Sequence, residues 1–112
     1  MFETRPLSET FGAEVIGASI SANSSPEEIA AVKALWAEHK LLLFRGQSVD
    51  EENLVGYSEK FGKLEIHVRT EFLSKTHPQI LYVSNIAHAG KKIGILADTE
   101  VGWHYDQIYL PK

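Results

Sequence analysis

The chain has 112 residues, of which 44% are hydrophobic and 23% charged, a composition typical of one globular domain at most. Its formal net charge of −4 argues against a nucleic-acid partner, and the absence of cysteine excludes disulfides and thiolate metal sites. No segment has the pattern of a signal peptide or the length of a membrane span. We therefore expect a cytoplasmic protein with no nucleic-acid and no membrane partner.

The first half of the chain alternates strand and helix signals. Small and β-branched residues alternate at 13–20 and predict a strand. Ser25, Pro26 and Glu28 then form a capping box with proline at the first helical position, which predicts a helix to about Lys40. The apolar face of this helix is expected to comprise Ile29, Val32, Leu35 and Trp36.

A second strand and helix are predicted next. The continuous apolar run at 41–44 is typical of a strand buried on both faces. A capping-box pattern beginning at Ser48 predicts a helix that Gly62 should end as its C-cap. The apolar stripe of this helix is expected to comprise Leu54, Val55, Ser58 and Phe61.

Beyond Gly62 the pattern changes from helix to sheet. Alternation at 64–68 and an apolar run at 80–83 predict two strands, and glycines and lysines within 87–98 predict a hairpin or loop. We expect 87–98 to be a lid that becomes ordered when a substrate binds. A last strand is predicted at 103–110.

His104 and Asp106 are the candidate metal ligands. On a strand their side chains would point to the same side, so an imidazole and a carboxylate would face one site. These groups are two thirds of the facial triad that holds non-haem Fe(II). The His-x-Asp pattern is weak by itself, but a preceding aromatic residue, Trp103, and a following apolar run strengthen it.

Five segments, in this order and spacing, resemble the N-terminal part of the TauD/TfdA family of Fe(II)- and 2-oxoglutarate-dependent dioxygenases. The segments are 11–17, 38–40, 42–47, 61–64 and 102–106. The resemblance implies an α+β fold that is the N-terminal portion of a double-stranded β-helix, which is a jelly-roll or cupin-like architecture, with flanking helices.

The resemblance also implies roles for individual residues. By position, His104 and Asp106 would be the first two iron ligands, and His67 and Gln107 would contact the substrate. The family's third ligand, a His, and its 2-oxoglutarate-binding Arg lie downstream, but no His follows His104 and no Arg follows Arg69. We therefore expect 1–112 to be a single, incomplete dioxygenase domain whose natural polypeptide continues past Lys112.

For the full-length protein, the resemblance implies an enzyme with Fe(II) as cofactor and 2-oxoglutarate as cosubstrate. It would use O₂ to hydroxylate a small organic substrate, with anionic compounds among the candidates, and release succinate and CO₂. Asp106 favours hydroxylation over halogenation, because related halogenases replace this carboxylate. The alternative is a catalytically dead, truncated remnant that acts only through protein contacts. An unpaired sheet edge would favour a homo-oligomer.

Overall fold

A computed structural model, which describes residues 2–107 and 111, contains a three-stranded sheet in its first half. Its strands are β1 (Glu3–Pro6), β2 (Ala13–Ile16) and β3 (Leu42–Leu43), in the order β1-β2-β3. β1 runs antiparallel to β2, and β2 runs parallel to β3 with Ala13 opposite Leu42. Because parallel strands require a crossover connection, helix α1 (Pro26–His39) lies between β2 and β3 in the chain.

The capping box predicted for α1 is confirmed. The Ser25 side chain accepts a hydrogen bond from the Glu28 backbone N–H, and the Glu28 carboxylate accepts one from the Ser25 N–H at 2.8 Å. Pro26 occupies the first turn, where its missing N–H costs nothing. The predicted apolar face is buried only in its first part, because Ile29 and Val32 are buried while Trp36 is 53% exposed.

Helix α2 (Glu51–Glu59) begins and ends at residues other than those predicted. Its N-cap is Asp50 rather than Ser48, and the Asp50 carboxylate accepts a 2.8 Å hydrogen bond from the Asn53 backbone N–H. That bond also lowers the pKa of Asp50. The helix ends at Glu59, so the prediction of Gly62 as its C-cap was wrong. A carboxylate satisfies the free N–H groups at a helix start as well as a hydroxyl does.

The strand predicted at 13–20 ends at Ile16 because the following backbone bonds to a side chain instead of to a strand. The Gln47 amide accepts from the Ile20 N–H at 2.9 Å and donates to the Ala18 carbonyl at 3.2 Å. A side chain that satisfies both groups removes the need for a ladder partner. In the sheet, β2 pairs with β1 on the side away from β3. The sequence patterns did not predict β1.

The apolar run at 41–44 contains the edge strand β3. The run is not buried on both faces. Both residues of β3 are half-buried, and Leu41 is 51% exposed. β3 pairs only with β2, so one side of its backbone has no strand neighbour within the described residues. A continuous apolar run indicates burial, but it does not specify how many strands lie beside it.

The second half contains little regular sheet. Residues 64–68 form no strand, and 80–83 contributes only an isolated bridge between Leu73 and Leu81. The predicted hairpin is confirmed as β4 (Ala87–His88) paired with β5 (Lys91–Lys92). Ala89 and Gly90 make its turn at positive φ, 51° and 75°, as two-residue hairpin turns require.

The hydrophobic core lies in the first half of the molecule. Among the described residues, the buried hydrophobic side chains are Ala13, Val15, Ala18, Ile29, Val32 and Tyr57. An aromatic contact extends this core, with Phe61 5.2 Å from Tyr57 and 6.3 Å from Trp36 between ring centroids. None of the helices within residues 2–107 has the length and apolarity to cross a membrane.

Gly56 allows α2 to approach the loop before α1. A Cβ at Gly56 would lie 2.5 Å from the Ala22 Cβ, and this loop is also held by a 3.0 Å bond from the Ala22 N–H to the Asn53 side chain. We expect Gly56→Ala to lower the free energy of unfolding by about 1–3 kcal/mol, because overpacking outweighs the gain in helix propensity.

Urea denaturation would measure this effect. The control is the double variant Gly56→Ala/Ala22→Gly, which removes the clashing Cβ and should recover most of the lost stability. A Gly56→Ala protein as stable as the wild type would contradict the close approach.

Candidate metal site

His104 and Asp106 lie close together, but not on a strand. Residues 103–107 are irregular, and 108–110 lie outside the described residues, so the predicted strand at 103–110 is not found in its described part. The His104 Nε2 atom is nevertheless 3.7 Å from the Asp106 Oδ1 atom. Both side chains point to one side, as predicted, although local backbone geometry rather than a sheet brings them together.

A backbone carbonyl orients the His104 ring for metal binding. The Nδ1 atom is 2.9 Å from the Gly102 carbonyl oxygen, which can only accept a hydrogen bond. In the neutral imidazole, Nδ1 therefore carries the proton and Nε2 is the nitrogen with the free lone pair. Metal-binding histidines are commonly oriented in this way by a carbonyl or carboxylate.

The two donor atoms of this pair are close to, but wider than, the separation of neighbouring ligands on one metal ion. Bonds of about 2.1 Å at about 90° place two donor atoms about 3.0 Å apart, so the observed 3.7 Å would have to shorten by about 0.7 Å on binding. The side chains of His104 and Asp106 are 61% and 97% exposed. Within the described residues no group of three or more His, Cys, Asp or Glu side chains could hold a metal. The structure thus brings two candidate ligands together in an open setting.

The residues beside the pair form an open hollow of about 600 Å³ next to His104. Trp103 lines this hollow, and its side chain is completely exposed. Val101, another lining residue, is 56% exposed. An apolar wall is therefore present beside His104, but the described residues do not cover it.

His67 and Gln107, the predicted substrate-contacting residues, are both half-buried. The His67 Nδ1 atom accepts a 3.0 Å hydrogen bond from the Arg69 backbone N–H, so a neutral ring carries its proton on Nε2. In the described part of the chain, no hydrogen bond or ion pair connects His67 with His104 or Asp106. The substrate-contacting roles of His67 and Gln107 stay predictions.

Glu51 is the centre of a polar cluster that the sequence patterns did not reveal. Its carboxylate accepts hydrogen bonds from the hydroxyls of Ser74 at 2.6 Å, Tyr82 at 2.8 Å and Thr76 at 3.1 Å. His77 Nδ1 lies 3.3 Å from the same carboxylate. The bond from Ser74, followed by that from Tyr82, lowers the pKa of Glu51 from 4.5 to about 2. The donors lie 23 to 31 residues away in sequence, so no local pattern predicts them.

The predicted lid, 87–98, is anchored on the segment that this cluster holds. The Ile95 backbone N–H donates to the Tyr82 carbonyl at 3.0 Å. At Gly94 the two backbones approach so closely that a Cβ would lie 2.3 Å from the Ser84 carbonyl oxygen. The role of 87–98 as a lid stays a prediction. Closure of this lid would have to move the backbones at Gly94 and Ser84 together.

Comparisons with known proteins agree on one family. The family model described as "Taurine catabolism dioxygenase TauD, TfdA family" matches residues 3–112. The (S)-phenoxypropionate/alpha-ketoglutarate-dioxygenase of Sphingobium herbicidovorans is 31% identical over 111 residues, which cover 98% of this chain and 37% of the relative. Pentalenolactone F synthase of Streptomyces avermitilis is 29% identical over 111 residues, covering 97% of this chain and 36% of the relative.

A solved structure has a similar backbone. The crystal structure of a taurine dioxygenase from Burkholderia xenovorans matches with a TM-score of 0.69 and 25% identity, covering 78% of this chain and 31% of that one. The chain therefore spans about a third of the length of the relatives it matches.

We expect the Glu51 cluster to make stability depend on pH. Because the folded-state pKa of Glu51 is about 2 and its ordinary value is 4.5, the contribution of this group is fully present above pH 4.5. It is lost as the pH falls from 4.5 towards 2, when protonation removes the charged acceptor. Hydrogen exchange of the backbone amides at 74–82 across this range would measure the loss.

Variants separate Glu51 from other carboxylates that titrate over the same range. Glu51→Gln should raise exchange at 74–82 at neutral pH and flatten its pH dependence. Glu52→Gln is the matched control, because it removes the same charge from the same turn but makes none of these hydrogen bonds. Equal effects of the two substitutions would show that general charge, and not the cluster, holds the segment.

Proposed function

The chain belongs to the TauD/TfdA family of dioxygenases, and from this membership we propose that it contributes two iron ligands to an Fe(II)- and 2-oxoglutarate-dependent dioxygenase. The ligands are His104, through Nε2, and Asp106, through its carboxylate. The observation that carries the proposal is the 3.7 Å separation of these atoms together with the Gly102 carbonyl that fixes the imidazole. The alpha-ketoglutarate dependence named for the Sphingobium relative supports the cosubstrate.

The chain's own residues would bind and orient the metal. A hydrogen bond to the Gly102 carbonyl places a proton on His104 Nδ1, so Nε2 is the nitrogen that would bind the metal. Asp106 adds a negative charge that favours a divalent cation. When bound, Fe(II) supplies O₂ activation coupled to oxidative decarboxylation, in which one oxygen atom enters succinate and the other enters the hydroxylated product.

We propose that the substrate is a small organic molecule, a class that includes organic acids. Support comes from the relative named for (S)-phenoxypropionate, which is itself a carboxylate. His67 is the proposed donor to such a substrate, because its Nδ1 accepts from Arg69 and its Nε2 then carries a proton. Gln107, half-buried and adjacent to Asp106, is the second proposed contact.

The jelly-roll fold belongs to the same proposal. The described strands form a three-stranded and a two-stranded sheet, which combine with two helices in an α+β arrangement. A double-stranded β-helix needs more strands than these. The likeness to the Burkholderia taurine dioxygenase supports such a fold for the whole protein.

We expect His104→Ala to abolish iron-dependent formation of succinate from 2-oxoglutarate in the protein as its native source makes it. Losing a direct ligand should reduce the rate by more than about a hundredfold, since removing a residue that only orients a ligand already costs 10–100-fold. His39→Ala is the matched control, because His39 lies in the last turn of α1. Retained succinate formation in His104→Ala would refute the metal assignment.

Anaerobic Fe(II) titration distinguishes the enzyme from the catalytically dead remnant. The enzyme should bind Fe(II) more weakly after Asp106→Asn, and its affinity should fall on acidification because protons compete for both ligands. A wild-type protein that binds no Fe(II) and forms no succinate would favour the remnant.

A further inference from the structure

A second cavity lies away from the His104–Asp106 pair. It has a volume of about 500 Å³ and lies between the loop 71–76 and the hairpin formed by β4 and β5. Neither predicted metal ligand lines it. Its volume falls within the range of about 300–1,000 Å³ that is usual for small-molecule sites.

The polar lining of this cavity is mainly cationic, although the protein as a whole is acidic. Lys75 lies on the loop side, and Lys91 and Lys92 form β5 on the hairpin side. Within residues 2–107 and 111, the side-chain ammonium groups of these three lysines take part in no hydrogen bond or ion pair. The one carboxylate in the lining, Glu71, is bound by Arg69 at 2.6 Å.

The hydroxyl groups of the lining already have acceptors. Ser74, Thr76 and Tyr82 all direct their hydroxyls to the Glu51 carboxylate. Their hydrogens are therefore engaged, whereas the three lysine ammonium groups and the imidazole of His88, which also lines the cavity, form no side-chain hydrogen bond within the described residues. Three like charges at one hollow repel each other unless an anion enters.

The rest of the wall is apolar. It comprises the side chains of Leu73 and Ile93 and the ring of Tyr82, which is 37% exposed. An inorganic anion would bury none of this apolar wall, whereas an organic anion with an aromatic or aliphatic part would bury some of it.

We propose that this cavity binds a small organic anion, with its carboxylate on the lysines and its apolar body against Leu73, Ile93 and Tyr82. The inference depends on the cavity alone and does not require iron at His104 and Asp106. It also assigns a role to Lys91 and Lys92, the two residues of β5.

Direct titration of the protein as its native source makes it with naphthoate, monitored by backbone amide chemical shifts, tests the proposal. We expect shifts at 71–76 and 88–93, and binding that weakens as ionic strength rises. Naphthamide, the uncharged analogue, and inorganic phosphate, which has no apolar body, should each bind at least about tenfold more weakly.

Substitutions locate the anion contact. Lys91→Gln/Lys92→Gln should weaken naphthoate binding by about tenfold, and Lys75→Gln, on the opposite wall, should weaken it by a smaller factor. Lys63→Gln, an exposed lysine outside the cavity, should leave binding unchanged. Lys75→Gln keeps the test valid if the double substitution disturbs the hairpin.

Three results would overturn the proposal. Equal affinity for naphthoate and naphthamide would show that charge is not recognised. Equal affinity for phosphate and naphthoate would show that the apolar wall is not used. Unchanged affinity in both lysine variants would place the anion elsewhere.

Discussion

The contact on which the second half of the molecule depends is the carboxylate of Glu51. The buried hydrophobic side chains of the described chain lie between Ala13 and Tyr57, so the residues that follow have little apolar burial of their own. A charged acceptor with hydroxyl donors from Ser74, Thr76 and Tyr82 provides the attachment instead. Hydrogen bonds to an ionised group are stronger than neutral ones, and the start of a helix favours negative charge.

This attachment extends along the chain towards the proposed metal ligands. Tyr82 is bound to Glu51 through its hydroxyl and to Ile95 through its carbonyl, so the hairpin segment rests on a residue that the carboxylate holds. The segment with His104 and Asp106 follows after the hairpin. Its local geometry, however, comes from the Gly102 carbonyl and not from the cluster. Glu51 thus positions the hairpin, while the ligand pair is organised by its own backbone.

The side chains of His104 and Asp106 are more exposed than a catalytic metal site requires. Side chains that are 61% and 97% exposed can coordinate a metal, but they do not exclude water from it. The chain spans about a third of the length of its relatives, and it carries apolar side chains such as Val68, Val83 and Ile86 that are 82%, 66% and 62% exposed.

Local signals in the sequence determined the two helices and the hairpin, because capping and turn chemistry act over a few residues. The spacing of His104 and Asp106 predicted their closeness, but through a strand that the described residues do not form. The family also follows from short segments in a fixed order. Tertiary structure alone decided the β1–β2 pairing, the edge position of β3, the end of β2 at Ile16 and the Glu51 cluster. Each of these depends on partners distant in sequence, and hydrogen-bond partners at such distances leave no periodic trace in the chain.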